Sequence, residues 1–149
     1  MQAFLTMMVT VPIFKGGAMK ELKYSRQREA ILEELRTRHD HPTADILYRS
    51  LRESFPHISL GTVYRNLNLL ADLGQISRIR CEEGMEHFDC DTHDHYHFVC
   101  RCCGKILDLP MEIIPDLDAK AESAGVGSIE AHALLFYGRC SACGAETAS

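Results

Sequence analysis

Side chains that bind metal ions are concentrated in residues 87–104. This segment reads HFDCDTHDHYHFVCRCCG and holds four histidines, three aspartates and four cysteines. Its first part offers imidazole nitrogen and carboxylate oxygen, whereas its last part offers thiolate sulfur. Because these donors prefer different metals, the segment predicts two kinds of metal site side by side.

The thiolate part contains a Cys-x-x-Cys-Gly knuckle that recurs near the end of the chain. Two such knuckles fit a closed tetrahedral zinc site, because the spacing lets both sulfurs of each knuckle face one ion. The glycine after each knuckle permits the tight turn. The pattern therefore predicts a structural Zn²⁺ ion with four ligands: Cys100, Cys103, Cys140 and Cys143.

The segment His95-Tyr96-His97 indicates the second kind of site. In a strand, residues i and i+2 point the same way, so both imidazoles would meet one ion while Tyr96 faces the opposite side. Asp89 is a nearby carboxylate. Nitrogen and oxygen donors without sulfur suit iron, manganese, nickel or zinc. A solvated, histidine-rich loop is the alternative explanation of this pair.

Three further cysteines are left over: Cys81, Cys90 and Cys102. Cys102 could compete with Cys103 for zinc, although the Cys-x-x-Cys-Gly spacing favours Cys103. Cys90 is adjacent to Asp89, so oxidation of its thiol would take place beside the nitrogen and oxygen donors. Buried, unreactive thiols are the alternative for all three.

The composition is that of a globular protein with one large domain or two small ones. The chain has 149 residues, and 46% of them are hydrophobic, which is enough for a core. Seven cysteines would suggest disulfides in a small secreted chain, but four of them fit the zinc pattern. A reducing, cytoplasmic location is therefore expected.

Residues 1–18 form a short, apolar leader. Its apolar run is too short to span a bilayer, and it lacks a basic start and a clear small-residue cleavage site. A flexible leader, or an upstream start codon with Met19 as the functional beginning, fits these features better than a signal peptide.

Charge is divided unevenly along the chain, although the total is −5. Residues 19–80 have eleven Lys or Arg against eight Asp or Glu, a balance of +3, and Lys15 adds one more positive charge. Residues 81–149 have four against thirteen, a balance of −9. The basic half would approach an anion, and the acidic half would hold cations.

Three helices are predicted in the basic half. Ser25 can cap the first, and Thr43 can cap the second, which runs from Ala44 to about Ser54. Its inward residues would be Ile46, Leu47, Leu51 and Phe55.

The third helix, residues 60–73, presents two different faces. An apolar stripe is formed by Leu60, Val63, Leu67 and Leu70, at spacings of 3, 4 and 3. The opposite face is polar and centred on an arginine, which suits insertion into a DNA major groove. A solvated helix face is the alternative. The candidate DNA contacts on this helix and at its cap are Ser59, Thr62, Tyr64, Arg65 and Asn68.

Two short strands, residues 75–80 and 86–90, follow the third helix as a hairpin. Three helices and a hairpin are the winged helix-turn-helix pattern. Arg78 and Arg80 would lie on the wing and contact phosphate without reading sequence, although such arginines are often plain surface charges.

The acidic half reads as a strand (95–99), a knuckle, a strand (105–109), a helix (115–124) and a strand (129–137) before the second knuckle. A unit of about 60 residues cannot build a large core, so zinc would tie the edges of its small sheet together. The predicted fold class is therefore α+β, a winged helix-turn-helix domain followed by a small α/β domain.

Together these features resemble the ferric uptake regulator superfamily over about residues 20–144. The motifs that carry the resemblance are His41-Pro-Thr-Ala-Asp, Gly61-Thr-Val-Tyr-Arg-Asn-Leu, Phe88-Asp89, Asp94-His-Tyr-His97, the two knuckles, and Tyr137-Gly before the last one. The resemblance implies a homodimeric, metal-dependent transcription factor, usually a repressor, that binds palindromic DNA operators and is not an enzyme. The implied division is a DNA-binding domain (19–84), a hinge (85–90) and a dimerisation and metal-binding domain (91–149).

The resemblance also implies a regulatory site for Fe²⁺ or Mn²⁺ on His41, Asp89, His95, His97 and Asp108. Aspartate at position 108 and the Asp-His-Tyr-His form are similar to the peroxide-responsive repressor branch. The iron-uptake branch typically has glutamate at that position.

An extra metal site found in some relatives is incomplete here. Tyr96 occupies one of its ligand positions, which leaves Asp94 and His132 as remnants. We therefore expect His132 to be a packed or sheet-facing histidine rather than a ligand.

A single ion on this regulatory set would join the two halves. His41 belongs to the DNA-binding half, Asp89 lies at the hinge, and the other ligands belong to the second half. In a two-fold symmetric dimer the ion would fix the spacing of the recognition helices, so metal occupancy would set DNA affinity. A coupling of ~1–3 kcal/mol, or roughly 5–150-fold, is enough for such a switch.

The branch resemblance further implies a peroxide response. Bound Fe²⁺ would react with peroxide beside its own imidazoles, oxidise His41 or His95, and be lost, which would release DNA. Mn²⁺ in the same site would be insensitive to peroxide.

Three alternatives remain at this stage. The first is an iron- or zinc-uptake regulator of the same family. Only Asp108 and Tyr96 argue against it. The second is a zinc hydrolase or deaminase, but the chain has neither His-Glu-x-x-His nor His-x-Glu with Pro-Cys-x-x-Cys. The third is a metal-storage module that does not bind DNA, which would need neither the capped third helix nor the wing.

Overall fold

Helices dominate the first part of the chain and strands the second in the computed structural model, which describes residues 22–144. The elements are α1 (Arg26–Arg36), α2 (Ala44–Leu51), α3 (Leu60–Asp72), β1 (Ser77–Arg80), β2 (Glu86–Asp89), β3 (Tyr96–Cys100), β4 (Ile106–Leu109), α4 (Leu117–Glu122), β5 (Leu135–Gly138) and α5 (Ser141–Gly144). The leader predicted at residues 1–18 lies outside the described residues. None of the helices between residues 22 and 144 has the length and apolar character needed to span a bilayer.

Each of the three long helices begins at the capping residue that the sequence indicates. The side-chain oxygens of Ser25, Thr43 and Ser59 accept hydrogen bonds from backbone N–H groups three residues later. Each cap satisfies a donor that has no partner within its helix. These predicted helix starts are confirmed.

The core of the first half lies between α1, α2 and α3 and is closed by Phe88 of β2. Fully buried side chains line the inner face of each helix: Ile31, Leu35, Leu47, Val63, Leu67 and Leu70. The prediction that Ile46 points inward is wrong, because its side chain is 39% exposed. Ala44, Leu47 and Leu51 define the buried face of α2, and at 100° per residue Ile46 is turned away from it.

The wing is the antiparallel pair β1–β2, in which Ser77 lies opposite Asp89 and Arg80 opposite Glu86. Both strands are shorter than predicted, but the hairpin is present. An isolated bridge between Thr43 and His87 connects β2 to the segment before α2. Strand β2 is therefore attached to the helices as well as to β1.

The second half is built on a three-stranded sheet in the order β4-β3-β5. β3 pairs antiparallel with β4 and parallel with β5. The predicted strand at residues 129–137 is wrong over residues 129–134. The ladder with β3 begins only where His97 lies opposite Leu135, and no strand within residues 22–144 pairs with the earlier segment.

The predicted helix at residues 115–124 begins later than expected, at Leu117. Asp116 precedes it with φ 59°, a left-handed conformation, so Pro115 is not in the first turn. The Gly125 stop agrees with the helix end at Glu122 followed by a turn.

Apolar contacts join the two halves. Ile79 of β1 is 4% exposed and packs with Val99 of β3 and Ile106 of β4. The Arg101 guanidinium pairs with the Glu82 carboxylate at 2.9 Å, and the Glu82 N–H donates to the Tyr137 hydroxyl at 3.2 Å. The wing therefore docks against the sheet, and the predicted α+β class of helices followed by a small sheet unit is confirmed.

Candidate metal centres

Five nitrogen and oxygen donors converge where the two halves meet. One ligand atom from each residue lies within 4.8 Å of the ligand atoms of the others. The cluster, called here the interdomain site, consists of His41, Asp89, His95, His97 and Asp108. The structure thus brings together every residue on which the resemblance placed the regulatory metal.

Different elements deliver these donors. His41 lies in the loop between α1 and α2, and Asp89 is the last residue of β2. His95 and His97 flank the start of β3, with ring centroids 4.4 Å apart, and Asp108 lies opposite His97 on β4. Tyr96 points to the other face, where its hydroxyl accepts a hydrogen bond from the Ile114 N–H at 2.9 Å. The alternation expected of a strand is therefore present.

The three imidazoles present the same nitrogen to the same two carboxylates. His41 Nε2 lies 2.9 Å from Asp108 Oδ1 and 3.3 Å from Asp89 Oδ2. His95 Nε2 lies 3.1 Å from Asp89 Oδ2 and 3.3 Å from Asp108 Oδ1. For His97 Nε2 the corresponding distances are 3.4 and 3.5 Å.

Secondary hydrogen bonds orient the donors. His41 Nδ1 lies 3.1 Å from the Ile106 carbonyl, and His95 Nδ1 lies 2.7 Å from the His93 carbonyl. Because a carbonyl only accepts, each Nδ1 carries a proton, so Nε2 is the nitrogen that would bind a metal after giving up its own proton. Asp89 Oδ1 accepts the Asp91 N–H at 2.8 Å, which leaves Oδ2 facing the histidines.

Contacts between carboxylate and imidazole groups shift the pKa values of three members of the interdomain site: Asp89, His41 and His95. Burial alone would raise the pKa of Asp89, but hydrogen bonds with His41 and His97 outweigh it and hold the pKa well below its usual range. Burial would lower the pKa of His41, but the hydrogen bond and the charge of Asp89 raise it overall. The pKa of His95 is also raised, because its bond to the His93 carbonyl and the charge of Asp108 exceed the effect of burial.

The interdomain site fits a first-row divalent metal. Bonds of about 2.1 Å place neighbouring ligand atoms roughly 3 Å apart, and the observed nitrogen–oxygen distances are 2.9–3.5 Å. His41, Asp89 and His97 are buried, whereas the Asp108 side chain is 55% exposed. The cluster is therefore held rigidly on one side and open to solvent on the other.

The second cluster contains the four knuckle thiols, Cys100, Cys103, Cys140 and Cys143, again with ligand atoms within 4.8 Å of one another. The sulfurs of Cys103 and Cys140 are 3.9 Å apart. Tetrahedral zinc with bonds of 2.3 Å places its sulfurs about 3.8 Å apart, whereas a disulfide requires about 2.0 Å. The N–H groups of Cys103 and Cys140 lower the pKa of Cys100 to about 6 and favour its thiolate. These four thiols fit a structural zinc ion.

The three surplus thiols belong to neither metal cluster. Cys102 is exposed, and hydrogen bonding with it is the largest cause that raises the pKa of Cys143, ahead of Cys140. Cys81 and Cys90 are half-buried, and burial raises the pKa of both thiols. A zinc-binding role for Cys102, oxidation of Cys90, and buried, unreactive thiols for all three stay predictions.

His132 lies outside both clusters. Its Nδ1 bonds Asp118 at 2.7 Å, and its ring centroid is 6.4 Å from that of Tyr96. Its Nε2 is buried without a hydrogen-bond partner in the described structure. A packed histidine, as the sequence suggests, agrees with this environment.

The candidate DNA contacts on α3 form a solvent-facing surface. Ser59, Tyr64, Arg65 and Asn68 are exposed, and Thr62 is half-buried. Arg65 donates to Thr62 at 3.1 Å, so its guanidinium is already oriented along the helix.

The wing arginines are paired within the chain. Arg78 donates to the Asp72 carboxylate at 2.9 Å and to the Asn68 carbonyl at 3.0 Å, and Arg80 donates to Glu86 at 2.9 Å. Arg80 is exposed, whereas Arg78 is half-buried. Either side chain would have to exchange these partners in order to reach a phosphate.

His87 is a histidine of the 87–104 segment to which the sequence assigns no ligand role. The structure buries it and places its Nδ1 2.7 Å from the carbonyl of His41. The spacing shows only that His87 shares a strand face with Asp89, because the two are two residues apart on β2.

Comparison with known proteins agrees with this architecture. The ferric uptake regulator family matches residues 19–137. The chain is 35% identical over 122 residues to the "Peroxide-responsive repressor PerR" of Staphylococcus aureus, covering 82% of each protein.

Solved structures give the same result. The peroxide stress regulator of Campylobacter jejuni superimposes with a TM-score of 0.66 at 31% identity, over 78% of this chain and 88% of that one. The ferric uptake regulator of Vibrio cholerae gives 0.65 at 33% identity, over 80% and 92%. The ferric uptake regulator of Helicobacter pylori, at 24% identity, shares the fold with a TM-score of 0.69 over 86% and 85%.

These matches confirm the expectations of a regulator rather than an enzyme, and of a zinc-type thiolate cluster beside an iron- or manganese-type cluster. Proteins of this family bind DNA as dimers. The chain belongs to the ferric uptake regulator family of metal-responsive transcriptional repressors.

Proposed function

We propose that this repressor senses peroxide through Fe²⁺ bound at the interdomain site. The observation that carries the proposal is the position of His41. Its Nε2, which comes from the helical half, lies 2.9 Å from Asp108 of the sheet half. An ion bound by both would hold the recognition helix α3 at a fixed angle to the sheet.

The ligands divide into two rigid groups. His41 and Asp89 belong to the half that carries α3 and the wing, whereas His95, His97 and Asp108 belong to the sheet. Hydrogen bonds across the site and the contacts of Ile79 also join these two groups. The sequence placed the hinge at residues 85–90, but residues 86–89 form strand β2 of the wing. We therefore propose that the halves open about the connection after β2, residues 90–95, when the metal leaves.

Peroxide would act on the ligands themselves. The five residues of the interdomain site would hold Fe²⁺, which would activate peroxide so that one of its oxygen atoms enters a ring C–H bond of an adjacent imidazole and the other leaves as water. Mn²⁺ would not supply this chemistry. His41 and His95 are the candidate targets, and His95 is the more accessible, with a side chain 19% exposed against 2%. A ring that gains oxygen loses basicity, so its residue would no longer hold the two halves together.

DNA recognition is assigned to the exposed face of α3, with Tyr64 and Arg65 at base edges. Ser59, Thr62 and Asn68 would support them. Arg78 and Arg80 would contact phosphate from the wing. We further propose that the protein works in the cytoplasm as a homodimer, in which two copies of α3 related by a two-fold axis bind a palindromic operator.

The test is operator binding measured with Fe²⁺, Mn²⁺ or Zn²⁺, each with and without peroxide. We expect each effective metal to raise DNA affinity and peroxide to release DNA from the Fe²⁺ form alone. Mass spectrometry should then find one added oxygen on a peptide containing His41 or His95.

Two other results would contradict the proposal. Operator binding with Fe²⁺ that survives peroxide would make the protein an iron-uptake regulator instead, and operator binding with Zn²⁺ but not with Fe²⁺ or Mn²⁺ would make it a zinc-uptake regulator. DNA release with both histidines unmodified would refute histidine oxidation as the route.

A further inference from the structure

His41 carries an uncommon backbone conformation. Its φ is 48°, in the left-handed region, although it is not glycine and is followed by proline. Such a conformation is disfavoured for a residue with a Cβ and persists only where surrounding contacts determine it. Contacts from neighbouring segments therefore hold His41 in place.

Strand β2 supplies two of them. His87 Nδ1 lies 2.7 Å from the His41 carbonyl oxygen, and the Phe88 N–H donates to the Pro42 carbonyl at 3.0 Å. Because the carbonyl only accepts, His87 Nδ1 carries the proton and donates it. The first of these bonds is made by a side chain, and it acts on the strained residue itself.

His87 also ties two ligands into one unit. His87 and Asp89 lie on the same face of β2, and His41 Nε2 is 3.3 Å from Asp89 Oδ2. The strand that carries one ligand therefore fixes the backbone of the other. The helical half would present these two donors in advance, before the sheet half contributes its three.

We propose that His87 is a positioning residue for the interdomain site, holding the His41 backbone so that its imidazole faces Asp89. This inference rests on the proposed use of that site as a regulatory metal centre. His87 itself is not a ligand. It acts on metal affinity through the hydrogen bond to the His41 carbonyl.

Substitutions at His87 separate this role from simple packing. His87→Asn keeps an N–H donor close to the position of Nδ1, whereas His87→Leu fills the buried space without a donor. His87→Gln keeps an amide but places it near the position of Nε2. His57→Leu, at an exposed position, controls for loss of a histidine.

The readout is Mn²⁺ affinity of the dimer with its structural zinc in place, followed by the loss of the free-ion paramagnetic resonance signal. We expect His87→Leu and His87→Gln to weaken Mn²⁺ binding by roughly 10–100-fold, the usual effect of losing an orienting partner. His87→Asn and His57→Leu should stay close to the wild-type affinity. Zinc content and circular dichroism confirm that each variant is folded.

The outcomes are distinct. Wild-type affinity in His87→Leu, or a loss in His87→Asn equal to that in His87→Leu, would overturn the positioning role. If His87→Leu does not fold, the comparison of His87→Gln with His87→Asn is used, and equal affinities there overturn it. Failure of the wild-type protein to bind Mn²⁺ at the interdomain site would refute the proposed function rather than this inference alone.

Discussion

Within the interdomain site, protons and metal ions compete for the same imidazole nitrogens. Burial would lower the pKa values of His41 and His95, but Asp89, Asp108 and the His93 carbonyl raise them overall. The pKa of Asp89 is lowered. In the metal-free protein these shifts favour the charged forms of both partners, imidazolium and carboxylate.

This pairing predicts opposite pH trends with and without metal. The raised histidine pKa values stabilise the metal-free fold below about pH 6.5, and that contribution is lost as pH rises through the folded pKa values. The lowered pKa of Asp89 stabilises above about pH 3.9 and is lost only as pH falls towards its folded value. Mn²⁺ needs neutral imidazoles, so the stabilisation it adds should grow from pH 6 to 8.

Urea unfolding of the zinc-loaded protein, with and without excess Mn²⁺, checks both trends. The metal-free unfolding midpoint should fall above about pH 6.5, while the increment due to Mn²⁺ rises. An increment that does not change with pH would mean that Mn²⁺ binds elsewhere.

The thiol of Cys90 is the residue-scale alternative to histidine oxidation. Burial, followed by the charge of Asp89, raises its pKa, so the reactive thiolate is disfavoured at neutral pH. We expect Cys90→Ala to keep the peroxide response of the Fe²⁺ form, as measured by operator release. Loss of the response in this variant, with Fe²⁺ affinity unchanged, would transfer the sensing role to Cys90.

Residue type and spacing predicted part of the site. The His95–His97 pair and the two knuckles follow from local periodicity, which fixes which side chains share a face. His41 and Asp108 required the resemblance, because nothing in their own neighbourhoods shows that a loop after α1 meets β4. The contact from His87 to the His41 carbonyl could not be predicted, since it depends on a left-handed residue that sequence patterns do not reveal.

At the scale of elements, the wing docks on the sheet through a small apolar cluster. Ile79 of β1 packs with Val99 and Ile106, and Leu135 and Tyr137 border it. The exposed Arg101–Glu82 pair adds little free energy, because surface ion pairs contribute about 0–1 kcal/mol. Burial of Ile79 is therefore the main contact, apart from the interdomain site, that favours the closed arrangement.

Ile79→Ala should weaken this docking and so reduce metal affinity. The change should lower the free energy of unfolding by about 2–5 kcal/mol, and Ile31→Ala in the helical core should do the same. Only Ile79→Ala should also weaken apparent Mn²⁺ binding, because fewer molecules then have the ligands assembled. Paired Mn²⁺ titrations of the two variants make the comparison, and equal affinities would show that docking and metal binding are independent.

The starts of the three long helices were predictable, whereas strand partners were not. The capping residues Ser25, Thr43 and Ser59 indicate these starts, because each cap is a local hydrogen bond that does not depend on tertiary contacts. The parallel pairing of β3 with β5 is non-local, and the periodicity of residues 129–134 extends beyond the strand that forms. Alternation shows which residues share a face, but not whether a neighbouring strand exists.

At the scale of the whole molecule, the sheet half has little apolar core of its own. Its buried cluster contains Val99 and Ile106, and the third member, Ile79, comes from the wing. α4 contributes no buried residue. We therefore expect the sheet half to depend on zinc bound by the four thiols, which lie at the turn after β3 and in the chain after β5.

Removing one zinc ligand should consequently disable the switch even when Mn²⁺ is in excess. Structural zinc contributes on the order of 10–16 kcal/mol of apparent binding free energy in small domains, far more than this cluster could replace. We expect Cys143→Ser to lose zinc, dimerisation and operator binding together, as measured by metal analysis, sedimentation and gel shift.

Cys102→Ser is the matched control, because Cys102 is exposed and lies beside Cys143 without belonging to the four-thiol cluster. This variant should keep one zinc ion per chain and its response to Mn²⁺. If instead Cys102→Ser loses zinc while Cys103→Ser keeps it, the ligand set is Cys100, Cys102, Cys140 and Cys143. The knuckle would then close around the middle thiol, and the tie between sheet and wing through Arg101 would have to rearrange with it.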